Sequence, residues 1–344
     1  MHKTLFAAGI GVAGLLVLPS ISAAKTIEVH RGQSIQHAVN RAAPGDTIHV
    51  HQGTFHESVE IKKDDLALKG EWTVEPRGTI VERPKHGRRC GHGAAGFCIA
   101  PRTTGTSITG FVVRGFKDFG AIAEAARNTA FAHDRFVNNG AYGVAAFSSK
   151  RTQFRHNVAK GSGEAGFYVG VSKRARAVLK DNIAISNGSF GYFLRDSSHG
   201  RVIDNEAKGN CLGIGLINTG AGGGVRAWSV RQNDVRRNNK FCPPAEGAPP
   251  ISGTGIALLG AKKNSIRRNA VLRNRPGQDS PPFAGGIVMF SSKPLGGTVS
   301  SQNLIRGNDA HDNLTADIRW DGKGKGNRFR HNHCETSQPG GLCH

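Results

Sequence analysis

Aromatic and acidic residues are both scarce in this sequence. Phe, Trp and Tyr make up 7% of the 344 residues, whereas glycine occurs 47 times, a combination that indicates many tight turns and a slim core. Asp and Glu number 25 against 46 Lys and Arg, so the formal net charge is +21. Such a positive field favours a polyanion or an anionic surface as partner, without identifying the polyanion.

Long apolar runs are missing after the N-terminus, so no membrane span is predicted. The N-terminus itself begins with the basic stretch Met1-His2-Lys3, continues with an apolar segment over 5–18 and reaches the small residues Ser22-Ala23-Ala24. This is the order of a secretory signal peptide. We predict a signal peptide over 1–24 and a single exported domain over 25–344, secreted or held in the cell envelope as a monomer.

Cysteine motifs typical of zinc sites are also missing. The six cysteines include no C-x-x-C pair and no tight Cys/His cluster. An exported chain meets oxidising conditions, and the cysteines fall into couples that are close in sequence. Although six cysteines allow fifteen connectivities, we expect three local disulfides: Cys90 with Cys98, Cys211 with Cys242, and Cys334 with Cys343.

A repeat dominates the second half of the chain. Tripeptides of the type N-x-[AV] and close variants recur every 23 to 25 residues, with longer intervals where Pro/Gly-rich insertions lie near 242–252 and 276–283. The tripeptides begin at Asn157, Asn182, Asn205, Asn233, Asn269 and Asn308. A second polar position, usually Asn, recurs five residues later. A period of this length is typical of solenoids.

Short strands are predicted on both sides of the asparagine bends. An apolar residue precedes the first Asn by three positions, and a Gly-led strand with alternating pattern, such as GFYVG from Gly166, follows the second Asn. Because one coil cannot bury its own apolar face, the coils must stack, about 4.8 Å apart, as a parallel β-solenoid. Asn suits the bends because it tolerates left-handed backbone and can bond from coil to coil. Regular coils are expected over 107–334.

The N-terminal end of such a stack needs a cap, since an open coil exposes core and unpaired edge groups. Residues 33–43 have apolar residues at helical spacing and end in Pro44-Gly45-Asp46, so we predict a cap helix there. The stretch GQSIQHAVNRAAPGDTIHVHQGTFHESVEI followed by Asn-rich coils resembles secreted right-handed parallel β-helix proteins of the pectin-lyase-like superfamily. The resemblance implies an all-β, right-handed parallel β-helix. It leaves the activity open, because this superfamily holds lyases, hydrolases, epimerases and non-catalytic members.

One candidate catalytic site follows from this resemblance. In the superfamily's acidic-polysaccharide lyases and epimerases, a cation neutralises the uronate carboxylate, a base removes the adjacent proton, and Tyr or His serves as acid. Arg195, Tyr168 and His199 are candidates for neutraliser, acid and base, with Asp196 beside them. The alternative is a solvated face in which Arg195 pairs with Asp196 or Glu124. Hydrolysis is disfavoured, because the paired carboxylates of an inverting hydrolase are not found.

Basic residues recur in the bends after the Gly-led strands and two positions before the first Asn. Stacked coils would align them into stripes that a linear polyanion could follow, although general solubilising charge is the alternative. The candidate substrate-binding residues are Lys150, Lys173, Arg174, Arg201, Lys263, Arg155, Lys180 and Arg231. Nucleic acid satisfies the same charges, but export and the lack of interleaved aromatics disfavour it.

A metal site is a further possibility near the N-terminus. His49 and His51 alternate with Ile48 and Val50, so both imidazoles share one face of a strand and are candidate ligands for Cu²⁺ or Zn²⁺. Solvated strand histidines are the alternative. The resemblance also extends to β-helix accessory proteins proposed to deliver copper to nitrous oxide reductase, although only two methionines argue against a soft Cu(I) relay. The cofactor is left open: Ca²⁺ is one candidate, although few acidic residues cluster on the predicted outer strands and no Ca²⁺ site is evident.

Taken together, the residues and the resemblance predict an exported β-helix that binds an acidic, uronate-type polysaccharide through a basic face. Cleavage or epimerisation of that polymer is the further expectation. A non-catalytic extracellular or cell-envelope binding module and a copper-delivery accessory protein are the alternatives.

Overall fold

Short strands separated by tight bends wind into a right-handed parallel β-helix, which confirms the predicted fold class. The structure is a computed structural model that describes residues 23–71, 78–87, 89–245, 249–277 and 281–343. The predicted signal peptide lies outside these residues, apart from its last two positions. The described residues contain no helix with the length and hydropathy of a membrane span.

Three long parallel sheets run along the helix axis. Sheet 1 contains β1 (Thr26–Val29), β2 (Thr47–Val50), β5 (Ala67–Gly70), β9 (Ser107–Thr109), β12 (Ala130–Ala132), β15 (Gln153–Arg155), β18 (Val178–Lys180), β21 (Arg201–Ile203), β24 (Ser229–Arg231), β27 (Ser265–Arg267), β30 (Leu304–Arg306) and β33 (Arg328–Arg330). Sheet 2 contains β3 (Gly53–His56), β6 (Thr79–Glu82), β10 (Phe111–Arg114), β13 (Arg135–Val137), β16 (Val158–Lys160), β19 (Ile183–Ile185), β22 (Glu206–Lys208), β25 (Asp234–Arg236), β28 (Ala270–Leu272), β31 (Asp309–His311) and β34 (His333–Cys334).

Sheet 3 has longer strands than the other two. It contains β4 (Val59–Ile61), β8 (Gly93–Ile99), β11 (Phe119–Glu124), β14 (Tyr142–Phe147), β17 (Ala165–Ser172), β20 (Phe190–Ser197), β23 (Leu212–Ile217), β26 (Thr254–Leu259), β29 (Gly285–Phe290), β32 (Ile318–Trp320) and β35 (Ser337–Gln338), while β7 (Arg89–Cys90) pairs antiparallel with β8. Its inward side chains stack with those of the other sheets to form one continuous core. Phe167 and Tyr192, for example, stack at 5.0 Å between ring centroids in adjacent coils.

Buried asparagines join the coils at the bends, as predicted. The amide oxygen of Asn182 accepts bonds of 3.0 Å from both the backbone and the side chain of Asn157, and Asn205 does the same for Asn182 at 2.9 Å. A second ladder runs through the position five residues later, where Asn187 and Asn210 are bonded in the same way. These bonds fix the register of neighbouring coils, because each buried asparagine finds its hydrogen-bond partners in the coils on either side of it.

The helix α1 (Ile35–Arg41) lies where the cap was predicted for 33–43. Ser34 caps its N-terminus by accepting a bond from the His37 N–H, and Glu57 accepts bonds from the N–H groups of Ile35 and Gln36. Ile35, Ala38 and Val39 are buried against the first coil. A single turn of 3₁₀ helix, Lys293–Leu295, lies in a loop near the C-terminal end.

All three predicted disulfides are present: Cys90–Cys98, Cys211–Cys242 and Cys334–Cys343. Cys242 also pairs with Ile251 in an antiparallel bridge, which closes the insertion predicted near 242–252. Residues 246–248 of that insertion and residues 278–280 of the insertion predicted near 276–283 lie outside the described residues.

The outward face of sheet 3 is apolar instead of polar. Aromatic and aliphatic side chains of successive coils form a second buried cluster there, which includes Phe119, Tyr142, Tyr168, Phe190 and Phe193. Loop residues such as Phe283 and Leu295 pack against this cluster. The polar outer faces of the molecule are therefore those of sheets 1 and 2 and the bends.

Candidate functional site

The first three strands of sheet 1 present ionisable side chains at two adjacent outward positions. Parallel pairing aligns Glu28 with His49 and His49 with Lys69, while the core residues between them point inward. Each of the three strands is followed directly by another ionisable residue, and these residues continue the alignment: His30, His51 and Glu71. A block of three strands therefore collects three imidazoles, two carboxylates and one ammonium group.

Four of these side chains close into a ring of His–Glu contacts. The Glu28 carboxylate lies 2.9 Å from Nδ1 of His49 and 2.8 Å from Nε2 of His51. The Glu71 carboxylate lies 2.9 Å from Nδ1 of His51 and 3.4 Å from Nε2 of His49. His30 stacks on His51 with ring centroids 4.3 Å apart and planes 6° from parallel. His49 and His51 are thus each held between the same two carboxylates, and the four side chains of the ring are only about one-third to one-half exposed.

This donor set suits a divalent transition metal ion. One oxygen of Glu28 and one nitrogen from each of His49 and His51 lie within 4.8 Å of one another. Imidazole nitrogen with carboxylate oxygen is the ligand chemistry of Cu²⁺ and Zn²⁺, whereas Cu(I) prefers thioether or thiolate sulfur. The second methionine of the chain, Met289, is buried in the core. The residues present therefore fit copper in its divalent state.

His49 and His51 were predicted as metal ligands, but their carboxylate partners Glu28 and Glu71 were not. The spacing of ionisable residues in the sequence could have revealed them. Intervals of 21 and 20 residues separate Glu28, His49 and Lys69, and the same intervals separate His30, His51 and Glu71. A coil period of that length places them on neighbouring strands. His56, which follows in sequence, belongs to sheet 2 and lies 3.6 Å from Glu82, outside this cluster.

The candidate catalytic residues Arg195, Asp196 and Tyr168 lie together on sheet 3. Arg195 Nε lies 3.6 Å from the buried carboxylate of Asp196, which also accepts a bond of 2.9 Å from the Thr219 N–H. Pairing of Gly170 with Arg195 places the guanidinium beside the Tyr168 hydroxyl. A Cβ at Gly170 would overlap the Tyr168 ring, so glycine allows the ring to lie flat against the strand toward Arg195.

Tyr168 is buried between the rings of Tyr142, Phe147 and Phe193. Burial raises the pKa of its hydroxyl well above the usual range, against the opposing effect of Arg195. His199 occupies the next bend in left-handed conformation, where Ser198 Oγ lies 2.8 Å from its Nδ1. Among the described residues, His199 forms no hydrogen bond or ion pair with Arg195, Asp196 or Tyr168. The catalytic role of these four residues stays a prediction.

Basic side chains converge at the bends between sheets 3 and 1. A cavity of about 210 Å³ is lined by Arg127, Lys150, Arg151, Arg174 and Arg176 together with Asn128. Arg127 and Lys150 are aligned by a parallel bridge between adjacent coils. None of these five cations forms an ion pair with a carboxylate of the described residues, so their charges stay uncompensated. Of the predicted binding residues, Lys150 and Arg174 belong to this cluster.

The other predicted binding residues are distributed along the coils. Arg155, Lys180 and Arg231 belong to one column of outward positions on sheet 1, in which Arg155 pairs directly with Lys180 and Ile203 separates Lys180 from Arg231. Lys180 lies 3.3 Å from Asp181, so part of this column is neutralised. Lys173, Arg201 and Lys263 are exposed on or beside the bends. A basic stripe therefore exists on sheet 1, next to the cation-lined cavity.

Solved structures of similar architecture include enzymes named for their action on alginate or glucan. The A-module of a mannuronan C-5 epimerase from Azotobacter vinelandii is 16% identical, with a TM-score of 0.54 over 86% of this chain and 88% of that one. The periplasmic alginate epimerase AlgG is 13% identical, with a TM-score of 0.58 over 88% and 82%. The catalytic unit of an α-1,3-glucanase from Streptomyces thermodiastaticus is 14% identical, with a TM-score of 0.62 over 92% and 65%. At these identities the likeness shows the fold alone.

A family model gives a more specific match. No curated protein matches the chain, but residues 97–275 match the model described as NosD, periplasmic copper-binding protein. The matched segment is the middle of the β-helix and includes neither His49 nor His51. Since it covers more than half of the 344 residues, this chain belongs to the NosD family of periplasmic copper-binding proteins.

Proposed function

We propose that this protein binds divalent copper in the periplasm and that Glu28, His49, His51 and Glu71 hold the ion. The observation that carries the proposal is the ring of four contacts in which each imidazole lies between the same two carboxylates. Histidines that are only solvated on a strand face do not require two shared carboxylate partners. The site lies on an outer face, so copper enters and leaves without unfolding of the chain, as a cargo ion requires.

Isothermal titration of the mature protein with Cu²⁺ tests this proposal. We expect His49→Ala/His51→Ala to lose the tightest binding event, because both nitrogen ligands are removed. The matched control is His56→Ala, which removes an exposed histidine of the neighbouring sheet and should leave this event unchanged. Equal loss of binding in the control, or unchanged binding in the double variant, would contradict the assignment.

A second candidate function is binding of an acidic polysaccharide along the basic bends. It is supported by the five uncompensated cations around the 210 Å³ cavity and by the adjoining basic stripe on sheet 1. Arginine forks bind carboxylate or sulfate groups in bidentate fashion, so such a cavity fits one charged group of a polymer. Retention on immobilised polygalacturonate or alginate at low salt, lost at high salt, is the expected result.

Cleavage or epimerisation of that polymer is the finer hypothesis, with Arg195, Tyr168, His199 and Asp196 as its residues. A lyase releases an unsaturated product that absorbs ultraviolet light, and an epimerase changes the uronate composition without chain cleavage. Either signal should disappear in Arg195→Ala. Retention of the polymer with neither signal would instead support a non-catalytic binding module.

A further inference from the structure

A second cluster of metal-ligand side chains lies at the opposite end of the β-helix. Asp309 and His311 occupy one outward face of β31, and parallel pairing places His333 of β34 directly beside Asp309. Nε2 of His311 lies 2.6 Å from Oδ1 of Asp309 and 2.9 Å from Nδ1 of His333, which is itself 3.2 Å from Asp309. Three donor atoms from two adjacent strands therefore point at one another.

Two of these separations, 2.9 Å between His311 and His333 and 3.2 Å between His333 and Asp309, match the spacing of ligands around a metal ion, whereas the 2.6 Å contact of His311 with Asp309 is a direct hydrogen bond that must lengthen to admit an ion. A divalent ion with bonds of about 2.0–2.1 Å keeps neighbouring ligand atoms roughly 2.9–3.4 Å apart, in square-planar or tetrahedral geometry. The rings of His311 and His333 stand at 81° to each other, so they meet at their nitrogen atoms and not face to face. Small movements of the side chains are enough to admit an ion between the three donors.

The backbone that carries the ligands is fixed before any ion arrives. Asn308 and Asn332, the residues immediately before Asp309 and His333, are buried steps of one asparagine ladder, joined by bonds of 3.1 and 3.0 Å. The disulfide Cys334–Cys343 adds a covalent anchor next to His333, on a strand of only two residues. Little backbone entropy is therefore left to lose on binding, which favours affinity.

Ordinary ion pairing does not account for the choice of histidine here. Earlier coils of sheet 2 carry carboxylates and long cations in the same two columns, where Arg236 pairs with Asp234 at 3.1 Å and with Glu206 at 3.3 Å. His311 continues the column of Arg236, and Asp309 continues the column of Asp234. A neutral imidazole offers a nitrogen lone pair to a metal, which arginine cannot do.

We propose that Asp309, His311 and His333 form a second binding site for a divalent ion of the copper and zinc class. The three side chains occupy one side of the ion, and His333 is 82% exposed, so the remaining positions face solvent and exchange is unhindered. Nine coils separate this site from the His49 cluster, on the order of 40 Å at about 4.8 Å per coil. The two sites share no ligand and do not depend on each other.

Titration of the full mature chain with Cu²⁺, and separately with Zn²⁺, tests the second site. We expect two equivalents to bind the wild type and one fewer to bind His311→Ala/His333→Ala. His331→Asn is the matched control, since it removes an exposed histidine two residues away with a residue that tolerates the same left-handed backbone. Stoichiometry and affinity unchanged in the double variant, or reduced equally in the control, would overturn the proposal.

The His49→Ala/His51→Ala variant separates this inference from the proposed function. We expect this variant still to bind one ion, and we expect that ion to be lost when His311 and His333 are also replaced. This result would support the second site even if the first site were assigned wrongly. Asp309→Asn keeps the shape of the side chain and covers the case in which the histidine variant fails to fold. We expect it to weaken binding about tenfold with an unchanged far-ultraviolet circular dichroism spectrum, and unchanged affinity would overturn the assignment.

Discussion

The side-chain oxygen of Asn233 accepts hydrogen bonds of 3.0 Å from both the backbone and the side-chain amide of Asn205. Asn205 in turn accepts both bonds from Asn182 in the preceding coil, and all three residues are buried. Each asparagine is therefore donor to one coil and acceptor for another. Because these hydrogen bonds are directional, the ladder fixes the register of each coil against the next, which apolar contacts alone do not do.

Replacement of Asn205 by alanine should destabilise the protein substantially. The change leaves the buried backbone N–H of Asn182 without an acceptor and removes the bonds that Asn205 itself donates, at a cost of about 3 kcal/mol in the free energy of unfolding. Urea unfolding measures the difference. The control Asn40→Ala removes an exposed helical asparagine and should change stability by no more than about 0.5 kcal/mol. Similar effects of the two changes would contradict the ladder's energetic role.

Asp134 occupies a position of the same ladder that asparagine fills in the following coils. Its Oδ1 accepts a bond from the Phe111 N–H, but its buried Oδ2 has no hydrogen-bond partner. Burial raises the pKa of Asp134 well above its usual range, against the opposing effect of the Phe111 N–H. Because the folded pKa exceeds the unfolded one, the stability that protonated Asp134 contributes is full below the unfolded pKa and is lost as the pH rises toward the folded pKa.

Asp134→Asn should therefore stabilise the protein at neutral pH and lose this advantage in acid. The amide keeps the shape of the side chain without a buried charge, which is worth about 1–3 kcal/mol. Urea unfolding at neutral pH and at about pH 3 measures both effects. Asp204→Asn, at an exposed position whose left-handed backbone Asn tolerates as well as Asp does, should show neither effect. A stability gain that is independent of pH would count against this explanation.

Lys69 is in register with His49 on the outward face of sheet 1, so its positive charge opposes a metal ion held by the His49 cluster. Lys69→Gln should tighten Cu²⁺ binding about threefold at low ionic strength, and salt should reduce the gain. Titration calorimetry at two salt concentrations measures this. Lys240→Gln, which removes the same charge far from the cluster, serves as control. An unchanged affinity in Lys69→Gln at low salt would place the copper elsewhere.

The cation-lined cavity should dominate polyanion binding. Arg174→Gln/Arg176→Gln removes two guanidinium groups from the cavity. It should lower the salt concentration at which the protein elutes from a polygalacturonate or alginate column. The control Arg267→Gln/Arg306→Gln removes the same charge from the sheet 1 column. A larger decrease of the eluting salt concentration in the control variant would mean that the polymer binds mainly to the stripe on sheet 1 and not to the cavity.

Much of the architecture was predictable because its physical causes are local. Alternation in the Gly-led strands separates inward residues such as Phe167 from outward ones such as Tyr168, and the spacing of Asn157, Asn182 and Asn205 defines the ladder. The disulfides followed from cysteines that are close in sequence. The strand alternation and the asparagine positions recur from coil to coil, so chance variation in one coil does not hide them.

The details of the sites were less predictable, because they depend on what neighbouring coils contribute. Tyr168 is outward, as expected, but aromatic side chains of adjacent coils bury it, since the outer face of sheet 3 forms a second apolar cluster. The partnership of Asp309 and His333 depends on the pairing of two strands 24 residues apart, of which only the first contains one of the regular asparagine tripeptides. The cation-lined cavity likewise brings together bends of three coils.

Anomalous diffraction from a crystal of the Cu²⁺-loaded protein tests the central claim most directly. Data collected on either side of the copper absorption edge locate the ion independently of any variant. We predict a copper peak within bonding distance of His49 and His51, with Glu28 or Glu71 as an oxygen ligand. A fully occupied copper ion elsewhere, with the His–Glu ring at 28–71 intact and empty, would contradict the proposed function.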